Sequence, residues 1–132
     1  MIISLAGGII FDQDGRILLI HRNTEHCVQW ELPGGKVEKN EKPQDAAVRE
    51  LMEELGVHVK IERDLGAKSF IENDKTMNYF WYKCNIKYGI PKIEEKKFDE
   101  IRYWDINELK KNEKELSANM KNLLPVLLSG IV

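Results

Sequence analysis

The run Arg49-Glu50-Leu51-Met52-Glu53-Glu54-Leu55-Gly56-Val57, preceded by Glu41 and Gly35, constrains this chain more than any other segment. Glutamates at 50, 53 and 54 are spaced i, i+3 and i+4, so a helix gathers them on one face. Like charges at that spacing repel, by roughly 0.2–0.5 kcal/mol per pair on an exposed helix. Such a stripe makes most sense with something cationic resting on it. Hard ions such as Mg²⁺ or Mn²⁺ prefer oxygen ligands and bind through carboxylates together with the phosphates of a substrate. The segment reads as a metal-phosphate site. The plainer reading is a solvated charged helix, which is what most charge runs are.

The flanks favour a helix over about 43 to 55. Pro43 suits the first turn, where its missing N–H costs nothing, and Asp45 meets the positive end of the helix dipole. Ala46, Ala47, Leu51 and Leu55 supply an apolar stripe. Gly56 is the left-handed stop expected just past a helix end. Lys42, where a Ser or Thr cap is stronger, is the weak point. Arg49 can pair with Glu53 one turn on. Ahead of the helix, Leu32 to Glu38 reads as a loop whose Gly34 and Gly35 let backbone approach a ligand closely.

Taken together, the pattern is Gly, five residues, Glu, seven residues, then Arg-Glu-Leu-x-Glu-Glu-x-Gly-Val. This resembles the signature of the Nudix hydrolase family at every specified position, and the predicted loop–helix–loop context agrees with it. The resemblance implies an α/β/α sandwich around a mixed β-sheet, and hydrolysis of a nucleoside diphosphate linked to another group, with divalent metal and water. By motif position it makes Glu50, Glu53 and Glu54 the ligands of Mg²⁺ (or Mn²⁺), joined by the carbonyl of Gly34 or Gly35. Glu41 becomes a supporting or bridging carboxylate, Arg49 an orienting partner, and Glu53 the first choice for orienting the water. An acidic pocket repels a polyphosphate unless a cation bridges the two.

The chain has 132 residues and a net charge of −2, with a pI near 6.0. The length suits one domain, residues 1–132, with a sufficient core. With charge so nearly balanced, nothing suggests a general nucleic-acid or anionic-membrane binder, and a small nucleotide is the expected partner. Cys27 and Cys84 are too few for a disulfide framework or a zinc cluster. The start Met1-Ile2-Ile3-Ser4-Leu5 lacks the basic opening of a signal peptide, and no stretch is long enough to span a bilayer. A cytoplasmic location follows as the default, with monomer and homodimer both open.

The order of elements is strand, turn, strand, loop, helix, several strands, then helices, which suggests an α/β domain. Ile2 to Phe11 and Arg16 to His21 read as a hairpin across Asp12-Gln13-Asp14-Gly15. Val57 to Ile61 alternates as a strand, and the aromatic-rich Thr76 to Tyr88 suits a central one. Ile101 to Asp105 leads into a helix at about Asn107 to Asn112. A last helix lies within Ser117 to Ser129, where Pro125 either starts a second section or kinks it.

Outside the box, many family members use another glutamate on a later strand. Register against Tyr103 to Leu109 places it at Arg102, so the chain departs there. Glu100, two residues earlier and on the same strand face, is the substitute, unless it is a solvent-facing strand residue; Asp99 is weaker. The resemblance to MutT-type members continues in Arg22, where a basic residue meets the phosphates. It also covers the aromatic strand around Tyr79 and Trp81, and Ser117-Ala118-Asn119, which resembles the segment presenting a base-reading Asn. Glu31, just before the glycine loop, is counted with these on the substrate side. Each has a plain alternative: Arg22 as a solvated strand end, the aromatics as core, Asn119 as a helix cap. Trp30 is expected to pack in the core, and His26 and His58 to be ordinary histidines.

The expected reaction is Mg²⁺-dependent conversion of a nucleoside triphosphate to monophosphate and pyrophosphate, 8-oxo-dGTP being the most specific guess. ADP-ribose or another nucleoside-diphosphate sugar is the second enzyme reading. The proline and tyrosine that mark ADP-ribose and dinucleoside-polyphosphate hydrolases just past the box are absent here. A non-catalytic nucleotide-sensing module is the rival from another class.

Overall fold

The computed structural model describes every residue except Ile131. In chain order it contains β1 (Ile2–Ile10), β2 (Ile17–Asn23), β3 (Val28–Glu31), β4 (Gly34–Lys36), α1 (Pro43–Leu55), β5 (His58–Glu72), β6 (Lys75–Tyr88), β7 (Phe98–Trp104), α2 (Ile106–Lys111), a 3₁₀ turn (Glu113–Glu115) and α3 (Ala118–Leu128). The strands form two sheets, ordered β4-β1-β6-β5 and β3-β2-β7. β1 and β6 are parallel; the other pairs are antiparallel.

Side chains alternate along a strand, and both sheets use the alternation to feed two hydrophobic clusters. Ala6, Ile10, Leu18 and Ile20 face one cluster, while Ile9, Ile17 and Leu19 face the other. α1 covers the first with Ala46, Ala47, Leu51 and Leu55. α2 and α3 cover the second with Leu109, Met120, Leu123, Leu124 and Leu127. The expected layering, helices on both faces of mixed strands, is present, with two sheets in the middle layer.

α1 begins and ends as its sequence requires. Lys42 caps without a side-chain hydrogen bond, Pro43 stands in the first turn, and Gly56 adopts φ 69° with its N–H on the Met52 carbonyl. α3 is capped by Ser117, whose hydroxyl accepts from the Met120 N–H at 3.2 Å, and it runs through Pro125. The cap role considered for Asn119 therefore belongs to Ser117.

Four expectations change. The turn at Asp12 forms, with Asp12 Oδ1 accepting from the Asp14 and Arg16 N–H groups, but β1 and β2 do not pair as a hairpin. They meet only at the Phe11–Ile17 bridge and then enter different sheets, because β1 finds better partners in β4 and β6. The segment read as a loop from Leu32 to Glu38 contains β4, since Gly34 and Gly35 lie extended against Gly7 and Ala6. β5 runs far past Ile61: residues 62–72, which mix charged with apolar side chains and lack a clean alternation, are held as a strand by β6 through two register shifts, so pairing overrides weak propensity. β7 starts at Phe98, which brings Asp99 and Glu100 into the strand.

Candidate active site

Glu54 is 2% exposed and accepts the Gly34 N–H through Oε1 at 2.8 Å. α1 and β4 are thereby tied at the point where the glutamate face meets the glycines. Loss of hydration pushes the Glu54 carboxyl up to about 8, and repulsion from Glu50 and Glu95 adds to this. Burial also raises Glu50, opposed by its bond from Arg49. Gly35 lies directly over Glu50: a Cβ there would stand 2.5 Å from the Glu50 carboxyl carbon. A larger residue at 35 would displace that carboxylate from its present place.

Arg49 organises the acidic face. Its Nε and Nη2 donate to Glu41 at 2.8 and 2.9 Å, Nη1 to Glu50 at 3.0 Å and Glu53 at 3.2 Å, and Nη2 also to the Lys36 carbonyl. This fork reaches beyond the one i, i+4 pair expected. It holds the Glu41 carboxyl at about 2, so Glu41 is engaged by Arg49 and by the Glu38 N–H. Glu53 is the most open of the three helix carboxylates, at 52% exposed.

Sequence reasoning missed Glu95. The strap before β7 is laid along the end of α1 by two backbone bonds, Lys92 N–H to the Leu55 carbonyl and Glu94 N–H to the Glu54 carbonyl. Glu95 then stands close enough to repel both Glu50 and Glu54, and its Oε1 is buried without a hydrogen-bond partner. Glu100, favoured from register, is exposed opposite His21 and does not line the cavity described below. Asp99 is occupied by His21 Nδ1 and Asn23 Nδ2, both at 2.7 Å. Arg102 lies 3.8 Å over the Trp104 ring and pairs with Glu108 at 2.8 Å. The signal available was Glu94-Glu95 in a loop rather than a strand, and alternation says nothing about loops.

A cavity of about 790 Å³ joins this cluster to the start of α3, within the range of small-molecule sites. Glu50, Gly34, Gly35 and Lys36 line it together with Phe70, Met77, Tyr79 and Asn119, and the Tyr79 hydroxyl packs beside Gly34. Arg22 and Glu31 form part of the wall as a bidentate pair, at 2.6 and 3.0 Å, and Gln29 donates to the same carboxylate at 2.7 Å. Asn119 is 7% exposed and its Oδ1 accepts from the Trp81 indole N–H at 2.9 Å. Trp81 itself is core and does not line the cavity, so it stands behind Asn119. Tyr79 is buried, and desolvation holds its hydroxyl far above the usual range, hence protonated. His26 does line the cavity, Trp30 packs in the core, and His58 stacks on Tyr88.

The donor set suits a hard divalent cation. Among the described residues no three His, Cys, Asp or Glu side chains converge tightly enough to enclose an ion alone, but Mg²⁺ normally takes only one or two carboxylates and fills its shell with water and phosphate. The buried unpartnered oxygen of Glu95 and the desolvated Glu54 are carboxylates that such an ion would satisfy.

A carboxylate face under a glycine strand, beside a cavity of small-molecule size, fits a hydrolase acting on phosphoanhydride bonds. The NUDIX domain matches residues 3–127, and the chain belongs to that family. It is 37% identical over 93 residues to an 8-oxo-dGTP diphosphatase of Haemophilus influenzae, covering 68% of each protein. It is 44% identical over 54 residues to the CTP pyrophosphohydrolase of Escherichia coli, covering 39% of this chain and 40% of that one. The crystal structure of a MutT protein from Methanosarcina mazei superposes with a TM-score of 0.86 at 20% identity, covering 98% of this chain and 94% of that one.

Proposed function

We propose that this protein hydrolyses a nucleoside triphosphate to the monophosphate and pyrophosphate in a Mg²⁺-dependent (or Mn²⁺-dependent) reaction, with an oxidised purine nucleotide such as 8-oxo-dGTP the leading substrate. The observation carrying this reading is one cavity lined both by Glu50 of α1 and by Asn119. Phosphates fit beside Glu50 and a base beside Asn119.

Glu50, Glu53, Glu54 and Glu95, with a carbonyl of Gly34 or Gly35, are the groups that would hold the ion. When bound, it supplies charge neutralisation for the polyphosphate and Lewis-acid activation of the attacking water. Glu53, the exposed member of the face, orients that water and accepts its proton. Arg49 fixes the carboxylates it bonds, so little reorganisation is needed when substrate arrives. Arg22 keeps donors beyond those given to Glu31 and offers them to the phosphates.

Base choice follows from Trp81. An indole N–H only donates, so it fixes Asn119 with Oδ1 inward and leaves the amide NH₂ for the cavity. The base therefore needs an acceptor there, as the O6 of a guanine provides. Cytosine carries such an acceptor in its O2, which supports CTP as a second reading alongside the CTP-cleaving relative.

The test is a product-resolved screen with Mg²⁺ against all nucleoside triphosphates, 8-oxo-dGTP, ADP-ribose and diadenosine polyphosphates, with Glu53→Gln as control. Preferential turnover of a guanine or 8-oxoguanine triphosphate to monophosphate and pyrophosphate supports the reading, and a CTP preference selects the second. Selective cleavage of ADP-ribose overturns the substrate, and tight binding without turnover points to a sensing module.

A further inference from the structure

Lys97 lines the same cavity as Arg22, Gly34, Gly35 and Glu50, and the reaction above gives it no role. Its carbonyl accepts the Asn23 N–H at 2.9 Å, which fixes its backbone to the end of β2. The ammonium is held far more loosely. It stands 3.8 Å from Glu95 Oε1, beyond hydrogen-bond distance, and 5.3 Å from the Phe98 ring centroid, with the side chain 41% exposed. A lysine head on a four-carbon stem can turn over several ångströms about such an anchor. Arg22 differs, because two of its nitrogens are already committed to Glu31. The positive charge of Lys97 also draws the Glu54 carboxyl down against the effect of burial, so it is felt across the carboxylate cluster.

We propose that Lys97 is a direct contact for the phosphate chain of the substrate, its ammonium placed between Glu95 and the non-bridging phosphate oxygens. This rests on the pyrophosphohydrolase reading and adds to it a residue that selects for a polyphosphate. A consequence of the geometry is that Lys97 acts on the two ligands with opposite sign. One positive charge beside Glu95 repels a divalent cation approaching the carboxylates and attracts a triphosphate. A residue that merely supports the fold would move both affinities the same way.

The experiment uses the full chain and the variants Lys97→Met and Lys97→Arg. Calorimetric titration is done with Mn²⁺ alone, and then with a non-hydrolysable α,β-methylene nucleoside triphosphate in saturating Mg²⁺; thermal unfolding checks the fold. In Lys97→Met, Mn²⁺ alone should bind up to about fivefold more tightly, the scale of a partly exposed charge pair. The triphosphate should bind about tenfold more weakly, the scale of one charge-assisted hydrogen bond, and Lys97→Arg should recover most of that loss. Unchanged triphosphate affinity in Lys97→Met overturns the proposal, as does a parallel loss of both affinities. If the wild-type chain itself fails to bind the triphosphate, the pyrophosphohydrolase reading has failed, and the role of Lys97 falls with it.

Discussion

A carboxylate as buried as Glu54 gives up most of its hydration, and one backbone N–H from Gly34 does not replace it. Its carboxyl rises from 4.5 to about 8 for that reason. With the folded value above the unfolded one, Glu54 contributes stability that is fully present below about pH 4.5 and lost as pH rises toward about 8. The stability of the protein in EDTA should therefore fall across this window by up to about 1.4 kcal/mol per pH unit, read as a falling melting temperature. Glu54→Gln should flatten the profile, because the amide stays neutral. Mg²⁺ binding requires the ionised form, so its affinity should tighten between pH 6 and 8; a pH-independent affinity would contradict the desolvation argument. Glu41 has the opposite sign. Arg49 holds it at about 2, so its contribution fades only as pH falls below about 4.5. On the cavity wall, Asn119→Ala should reduce discrimination between bases by about 1–3 kcal/mol, read as the ratio of kcat/KM values. Trp81→Phe, which removes the donor that orients Asn119, should reduce it as well.

Among the elements, α1 was the most legible, because every signal that makes it a helix is local. Pro43, the Ala46-Ala47-Leu51-Leu55 stripe and Gly56 are read within one stretch of chain, and the structure runs the helix from Pro43 to Leu55. Leu51 is fully buried against β1, so Leu51→Ala should destabilise the fold by about 2–5 kcal/mol in denaturant titration. Gly35→Ala tests the contact between elements instead. The added methyl would stand 2.5 Å from the Glu50 carboxyl carbon, so Glu50 or β4 must shift. Metal affinity should drop by about tenfold or more while unfolding stays cooperative. The strands were harder to read. The Asp12 turn is real, yet the two strands flanking it part into separate sheets. The irregularly patterned stretch 62–72 becomes strand through its ladder with β6. Turn chemistry reveals that a chain reverses, but not which strand it will pair with.

At the scale of the molecule, the site joins α1, β4, the strap before β7 and the start of α3. Glu95 shows how far this assembly goes beyond motif reading. Strand register favoured Glu100, whereas the carboxylate beside Glu50 and Glu54 is Glu95, delivered by the backbone bonds of Lys92 and Glu94 to the end of α1. Glu95→Gln and Glu100→Gln separate the two in a Mn²⁺ titration: the first should weaken affinity by about tenfold or more, the second should leave it near wild type. Equal effects would return Glu100 to the site. The sequence by itself determined the helix, its carboxylate face, the two glycines beside it and the family, because helical period and close backbone approach act over neighbouring residues. Only the tertiary structure decided that Arg22 would be tied to Glu31, that Trp81 would orient Asn119, that Glu95 would stand beside Glu50 and Glu54, and that Lys97 would reach the cavity. Apart from Arg22–Glu31, which bridges the consecutive strands β2 and β3, those contacts join elements far apart in the chain, brought together by burial of two apolar clusters, whose attraction is non-directional and leaves no spacing in the sequence to read.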